Sequence, residues 1–160
     1  IGALDGCRSI IDLNLSNNEI STITGLDSLC SLKKLDLSYN RIVKLQGLRE
    51  LDELESLDLR GNRILTLEGL EELNNLPQLK SLFLRGPKIG DENPVCTNPE
   101  YISFLRRTLP QLEILDGSHM QVVDGFDQMS AQLQSIEADE ESNRTPPNEP
   151  WFTEEDLSLD

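Results

Sequence analysis

Leu35-Asp36-Leu37-Ser38-Tyr39-Asn40-Arg41-Ile42 stands between two near-copies of itself. Leu13-Asn14-Leu15-Ser16-Asn17-Asn18-Glu19-Ile20 precedes it, and Leu57-Asp58-Leu59-Arg60-Gly61-Asn62-Arg63-Ile64 follows it at the same spacing. The shared frame extends beyond this octet. It reads Ile10, Leu13, Leu15, Asn18, Ile20, Ile23, Leu26, Leu29 in the first copy. The second copy reads Leu32, Leu35, Leu37, Asn40, Ile42, Leu45, Leu48, Leu51, and the third Leu54, Leu57, Leu59, Asn62, Ile64, Leu67, Leu70, Leu73. Self-similarity at this period is the signature of a stacked solenoid.

The spacing has a physical reading. In Leu-x-Leu the two-residue alternation of a strand points both leucines inward. The asparagine falls where the chain must turn, and its side chain can satisfy backbone groups that the bend leaves unpaired. The later apolar residues, three apart, suit a 3₁₀-like or loop return on the far side. No single copy can bury its own stripe, so neighbours stack. The predicted class is an α/β solenoid with short parallel strands on the concave face and 3₁₀ or loop returns on the convex face. A C-terminal capping helix and an acidic tail complete it.

The fourth copy is altered. Leu79, Leu82 and Leu84 repeat the strand of Leu54, Leu57 and Leu59, but one period and three further residues later. Pro87 stands where the asparagine is expected, and Ile89 keeps the following apolar position. Tyr101, Phe104, Leu105 and Leu109 at helical spacing predict a closing helix over 98–109, with Leu112 and Leu115 in a last strand. At the other end, Ile1, Leu4 and Cys7 sit one full period before Ile23, Leu26 and Leu29. The sequence thus opens inside a repeat without a polar cap, as expected of a fragment of a longer protein.

With these residues in view, the repeating frame resembles the SDS22-like class of leucine-rich repeats. The ending Asn93-Pro94-Val95-Cys96, Tyr101, Leu109-Pro110-Gln111-Leu112 and Leu115-Asp116-Gly117 is similar to the cap of that class. Asp91–Cys96, Thr108–Leu112 and Ser130–Glu137 look like the leucine-rich-repeat and coiled-coil centrosomal protein family. That resemblance implies a cytoplasmic scaffold at a centrosome, basal body or cilium. The same repeat class includes regulatory subunits and nuclear adaptors of the phosphatase- or histone-binding type, and that alternative stays open.

Composition narrows the function. The 160 residues are 37% hydrophobic and only 4% aromatic, so leucine and isoleucine must build the interior. The net charge is -15, from 29 acids against 14 bases. Nucleic acid and anionic membrane are disfavoured partners, because both require cations to meet phosphates. Basic proteins are the natural long-range partners. Residues 118–160 carry eleven acids and one base, Arg144, so -10 of the charge lies there and -5 in residues 1–117. Cys7, Cys30 and Cys96 form no disulfide framework and suit a reducing interior; Cys30 and Cys96 read as small apolar fillers. No apolar run approaches membrane length.

The domain limits are 1–117 for the N-terminally truncated repeat domain with its cap at 93–117, then a junction at 118–125. Gly117-Ser118-His119-Met120 reads two ways. It is the natural end of the cap, or it is a protease-site cloning scar that makes residues 121–160 a fused peptide ligand. Phe126, Met129, Leu133 and Ile136 predict an amphipathic helix over 126–137, which could start a coiled coil. Residues 138–160 form an acidic tail containing Trp151, Phe152, Leu157 and Leu159. Apolar residues flanked by carboxylates suit a linear docking motif, and equally suit a solvated tail with incidental hydrophobes.

The candidate binding residues lie between and just after the strand leucines. They are Asn14, Asp36, Asp58 and Phe83, with Ser38, Tyr39, Arg60 and Arg85. The wall they form grades from polar and acidic to aromatic and basic toward the cap. Phe83 between Arg60 and Arg85 suits an acidic, aromatic-bearing peptide, including the chain's own tail in cis or trans. The alternative is a merely solvated face. Catalysis is not expected: the only histidine, His119, lies in the segment that reads as a cloning scar, and no phosphate-cradling glycine loop is present. Asp36 and Asp58 read as repelling, solvated carboxylates rather than a catalytic pair. No metal and no cofactor is expected.

Overall fold

The Leu-x-Leu segments pair as the alternation requires. Strands β1 (Asp12–Asn14), β2 (Lys34–Asp36), β3 (Ser56–Asp58), β4 (Ser81–Phe83) and β5 (Ile114–Leu115) run parallel in chain order. A sixth strand, β6 (Ser118–His119), pairs antiparallel with β5. The register aligns Leu13, Leu35, Leu57, Leu82 and Leu115 in one row. The computed structural model describes residues 7–120, all within one compact unit, Ile1–Gln121. Ile1, Leu4, the expected helix over 126–137, the tail, and Trp151, Phe152, Leu157 and Leu159 lie outside the described residues.

Leucines three apart build the returns, as expected. Leu29 N–H donates to Leu26 O at 2.9 Å and Leu32 N–H to Leu29 O at 3.0 Å. Leu51 and Leu48, Leu54 and Leu51, and Leu76 and Leu73 repeat the same three-residue step. That is 3₁₀ geometry, which stacks side chains at i and i+3 over one another. The third return, with its three extra residues, lengthens into a 3₁₀ helix, Glu68–Asn75, that buries Leu70 and Leu73. The strand leucines from Leu35 onward and the return leucines Leu26, Leu29, Leu48, Leu51, Leu54, Leu76 and Leu79 form one buried core. Leu13, Leu15, Ile10 and Ile20 of the first copy are only partly buried against it.

The asparagines tie the copies together. Asn62 Nδ2 donates to Leu37 O and Leu59 O, both at 2.9 Å, and its Oδ1 accepts Ile42 N–H at 3.0 Å. Asn40 does the same with Leu15 O, Leu37 O and Ile20 N–H. Each side chain therefore closes its own bend and the bend before it.

The fourth rung corrects the sequence reading. Asn93, not the position of Pro87, completes the ladder: its Nδ2 donates to Leu59 O and Leu84 O, and its Oδ1 accepts Ile64 N–H at 3.1 Å. Ile89 does not keep the apolar position either. It is 103% exposed, and the buried successor of Ile20, Ile42 and Ile64 is Val95, two residues after the rung. The chain leaves the frame after Arg85 and re-enters it at Asp91, whose carbonyl accepts Gly61 N–H at 2.8 Å as Arg60 O accepts Tyr39 N–H in the copy before. A proline cannot supply the amide that this bend requires, so the chain detours to an asparagine.

The cap is close to expectation. The closing helix, α1, spans Tyr101–Thr108, shorter than 98–109 because Asn98 and Glu100 form a turn in which Asn98 Oδ1 accepts Glu100 N–H. Leu112 precedes the last strand rather than joining it, bonded back to Leu109 O. The expected boundary at 117 cuts a hairpin. Asp116 (φ 52°) and Gly117 (φ 83°) are both left-handed, the pattern of a two-residue type I′ turn, which joins β5 to β6. Ser118 and His119 are therefore strand residues of the cap, and Met120 packs against the core. Among the fillers, Cys96 is buried as expected, but Cys30 is exposed because it lies outside the buried row of the return.

Leu59→Ala is expected to cost about 2–5 kcal/mol through lost burial and the cavity left behind. Asn93→Ala and Asn62→Ala should cost similar amounts, on the order of 3 kcal/mol, since each leaves buried amides and carbonyls unpaired. Exposed Pro87→Ala should stay within about 0.5 kcal/mol of the parent. Urea denaturation checks all four, and a Pro87 effect as large as that of Asn93 would contradict the rung assignment.

Candidate protein-docking face

Residues between the strand leucines point away from the core by strand alternation. The register places Asn14, Asp36, Asp58 and Phe83 side by side across β1 to β4, as a continuous row on the open face of the sheet. Asn14 Nδ2 reaches Asp36 Oδ2 at 3.3 Å. Asp36 and Asp58 are half-buried rather than solvated. Asp36 Oδ1 accepts Ser38 N–H at 2.9 Å, and Asp58 Oδ1 accepts Arg60 N–H at 3.1 Å, so each carboxylate caps its own bend. Ser16 N–H and Asn14 Oδ1 form the same turn.

Two expected face residues have structural tasks. Ser38 is only 3% exposed, and its hydroxyl donates to Asp36 Oδ1 at 2.6 Å, so it offers no free group to a partner. Arg60 is ion-paired with Asp58, its Nε 3.0 Å from both carboxylate oxygens. That pairing holds the guanidinium pKa above its usual value. The same guanidinium lies 5.4 Å from the centre of the Phe83 ring, a cation–π arrangement.

Tyr39 is unusual. It takes a left-handed backbone (φ 54°) at the place where Asn17 (φ 57°) and Gly61 (φ 63°) stand in the neighbouring copies. A bulky residue there is strained, and such strain clusters at functional sites. The residue is 39% exposed. A Cβ on Gly61 would come within 2.7 Å of the ring, so the glycine makes room for it. Desolvation and then the Asp91 carboxylate push the phenol pKa up.

Next to the cap the face opens into a recess of about 310 Å³, lined by Arg60, Phe83, Arg85, Gly86, Pro87, Asp116 and Gly117. Arg85 is exposed, and its Nη2 donates to Cys96 O at 2.9 Å, which fixes its direction. Asp116 closes the bottom of the recess. Its Oδ1 accepts Leu84 N–H (2.7 Å) and Arg85 N–H (2.8 Å), and its Oδ2 accepts the Tyr101 hydroxyl at 3.0 Å. Burial, reinforced by this carboxylate, raises the Tyr101 pKa far above the usual range and keeps it a donor. Sequence reasoning missed the role of Asp116, although Leu115-Asp116-Gly117 was recognisable as a cap ending. It also missed Val43 and Leu65, exposed apolar residues beside a second recess of about 370 Å³. Among the described residues no group of three His, Cys, Asp or Glu could hold a metal ion.

A leucine-rich repeat family model matches residues 1–141. No curated protein matches the chain. Among solved structures, a chain in the crystal structure of the Drosophila melanogaster SNF/U2A′ complex is 30% identical with a TM-score of 0.69; the match covers 88% of this chain and 80% of that one. A leucine-rich-repeat protein of Leptospira interrogans is 32% identical with a TM-score of 0.51, over 64% of this chain and 24% of the other.

Asp116→Ala strands three donors and should lower stability by roughly 2–4 kcal/mol, whereas Tyr101→Phe removes one and should cost about 1 kcal/mol. Thermal and urea melts of the two variants measure the difference. Equal costs would show that the carboxylate serves the tyrosine alone.

Proposed function

Because this chain belongs to the leucine-rich repeat family, we propose that it is a non-catalytic interaction module that docks an acidic, aromatic-bearing peptide of a protein partner on the open face of its sheet. The observation that carries this reading is the half-buried Phe83 ring, with Arg60 over it and the exposed Arg85 beside it, in a recess of about 310 Å³. An aromatic side chain can stack there while carboxylates meet Arg85, the kind of compact aromatic and arginine cluster that dominates binding energy at interfaces. Asn14, Asp36, Asp58 and Tyr39 extend the face away from that cluster. Asp58 already neutralises Arg60, so Arg85 is the principal cation for the ligand.

Residues 148–160, with Trp151 and Phe152 among acids, have the chemistry of such a ligand, and we read them as a docking motif acting in cis or trans. The family match running on to residue 141, and the built-in hairpin at Ser118–His119, support a continuous natural chain over a fused peptide. The centrosomal, basal-body or ciliary setting in the cytoplasm rests on the resemblance of residues 91–96, 108–112 and 130–137. The similarity to a chain of the SNF/U2A′ complex favours, as a second reading, an adaptor that assembles with one protein.

The test uses the full chain carrying Trp151→Ser and Phe152→Ser, which silences its own copy of the motif. A labelled peptide of residues 148–160 should bind it saturably, more weakly at high salt. Phe83→Ala or Arg85→Glu should weaken binding about tenfold or more. Absent binding, or binding indifferent to both substitutions, would overturn the reading.

A further inference from the structure

Of the four described copies, only the fourth leaves the repeat frame between its strand and its asparagine. Asn18, Asn40 and Asn62 follow Leu15, Leu37 and Leu59 by three positions, but Asn93 follows Leu84 by nine. The excursion is tied down where it returns. Asp91 N–H donates to Lys88 O at 3.1 Å, Asp91 Oδ2 accepts Lys88 N–H at 3.2 Å, and Asp91 O accepts Gly61 N–H. Gly86 and Pro87 at its start line the Phe83 recess. Ile89 stands at its tip, fully exposed.

A single exposed isoleucine is ordinary on a protein surface. This one sits on a pinned loop beside two exposed cations. Arg85 and Lys88 are both exposed, and like Lys34 and Lys44 they join none of the ion pairs found among the described residues, so no carboxylate partner has to be displaced there. Along the chain the pattern is apolar Phe83, cationic Arg85 and Lys88, apolar Ile89. That is the charge complement of an apolar–acidic–apolar peptide. Residues 151–159 show the pattern: Trp151 and Phe152, then Glu154, Glu155 and Asp156, then Leu157 and Leu159.

We propose that the 85–90 excursion is the second contact element of the docking face, with Ile89 as an apolar anchor and Lys88 and Arg85 as the cations between anchors, for an acidic peptide of apolar–acidic–apolar pattern. This rests on the reading of the Phe83 recess as a peptide site. The recess takes the aromatic end of the peptide, and Ile89 takes the aliphatic end. The loop's ties hold the backbone of Lys88 in place before binding, so the cost of ordering the loop does not fall on the complex.

Fluorescence anisotropy with the labelled peptide of residues 148–160, on the full chain carrying Trp151→Ser and Phe152→Ser, tests the proposal. Ile89→Asp and Lys88→Glu should each weaken binding by about fivefold or more. Ile102→Asp, at an exposed isoleucine on α1, should leave binding unchanged. Replacing Leu157 and Leu159 of the peptide by alanine should weaken binding to the parent but not further weaken binding to Ile89→Asp, because the pair is then already broken. The urea midpoint of Ile89→Asp should match the parent, since the side chain touches no core. Parent-like affinity of Ile89→Asp, with binding still lost in Phe83→Ala, would overturn the excursion's role and leave the recess reading intact. No binding of the peptide at all would overturn the recess reading and this proposal with it.

Discussion

A buried asparagine amide offers two donors and one strong acceptor, and in Asn40, Asn62 and Asn93 every one of them is used on backbone at a bend. Asn40, Asn62 and Asn93 each join the carbonyls that end two successive strands and take the amide of the isoleucine that follows the bend before. Without them each copy would bury unpaired groups at its sharpest turn, at a cost of about 1–3 kcal/mol apiece. The leucine core supplies the bulk of the burial, but leucines alone do not say where the chain turns. The amide ladder does, and it fixes the register in which Asn14, Asp36, Asp58 and Phe83 share one face.

The same constraint shapes the candidate site. A rung must be present in the fourth copy, yet it need not follow the strand at once. The chain runs out through Arg85, Pro87, Lys88 and Ile89 before returning to Asn93. That detour lines the Phe83 recess with Arg85, Gly86 and Pro87 and leaves Lys88 and Ile89 exposed on the loop beyond it. Asp116 then ends the ladder differently, with a carboxylate where a further repeat would present a backbone carbonyl to Leu84 N–H. A leucine-rich repeat thus closes on a charged group that also forms the base of the recess.

Much of this was legible in the sequence. The period, the inward leucines, the 3₁₀ returns and the closing helix follow from spacing, because each depends on residues near in sequence. The fourth rung was not, because counting three residues from Leu84 lands on Pro87, and the distance from the strand to Asn93 breaks the period. Asn93-Pro94-Val95 does preserve the Asn-x-Ile spacing of Asn62-Arg63-Ile64, and that was the available signal. The face row was legible from alternation alone. The loss of Ser38 to an internal hydrogen bond, the pairing of Arg60 with Asp58 and the hairpin through Gly117 were not, since each depends on which neighbour a flexible side chain or turn selects.

Amide hydrogen exchange tests the ladder most directly. Ile42 and Ile64 N–H groups, which donate to Asn62 and Asn93 side chains rather than to backbone, should exchange as slowly as the sheet amides of Leu37 and Leu59. In Asn93→Ala the Ile64 amide should speed up about tenfold or more beyond any change at Ile42, a local loss of roughly 1.4 kcal/mol. An Ile64 amide that exchanges freely in the parent, or that does not respond to the loss of Asn93, would contradict the account.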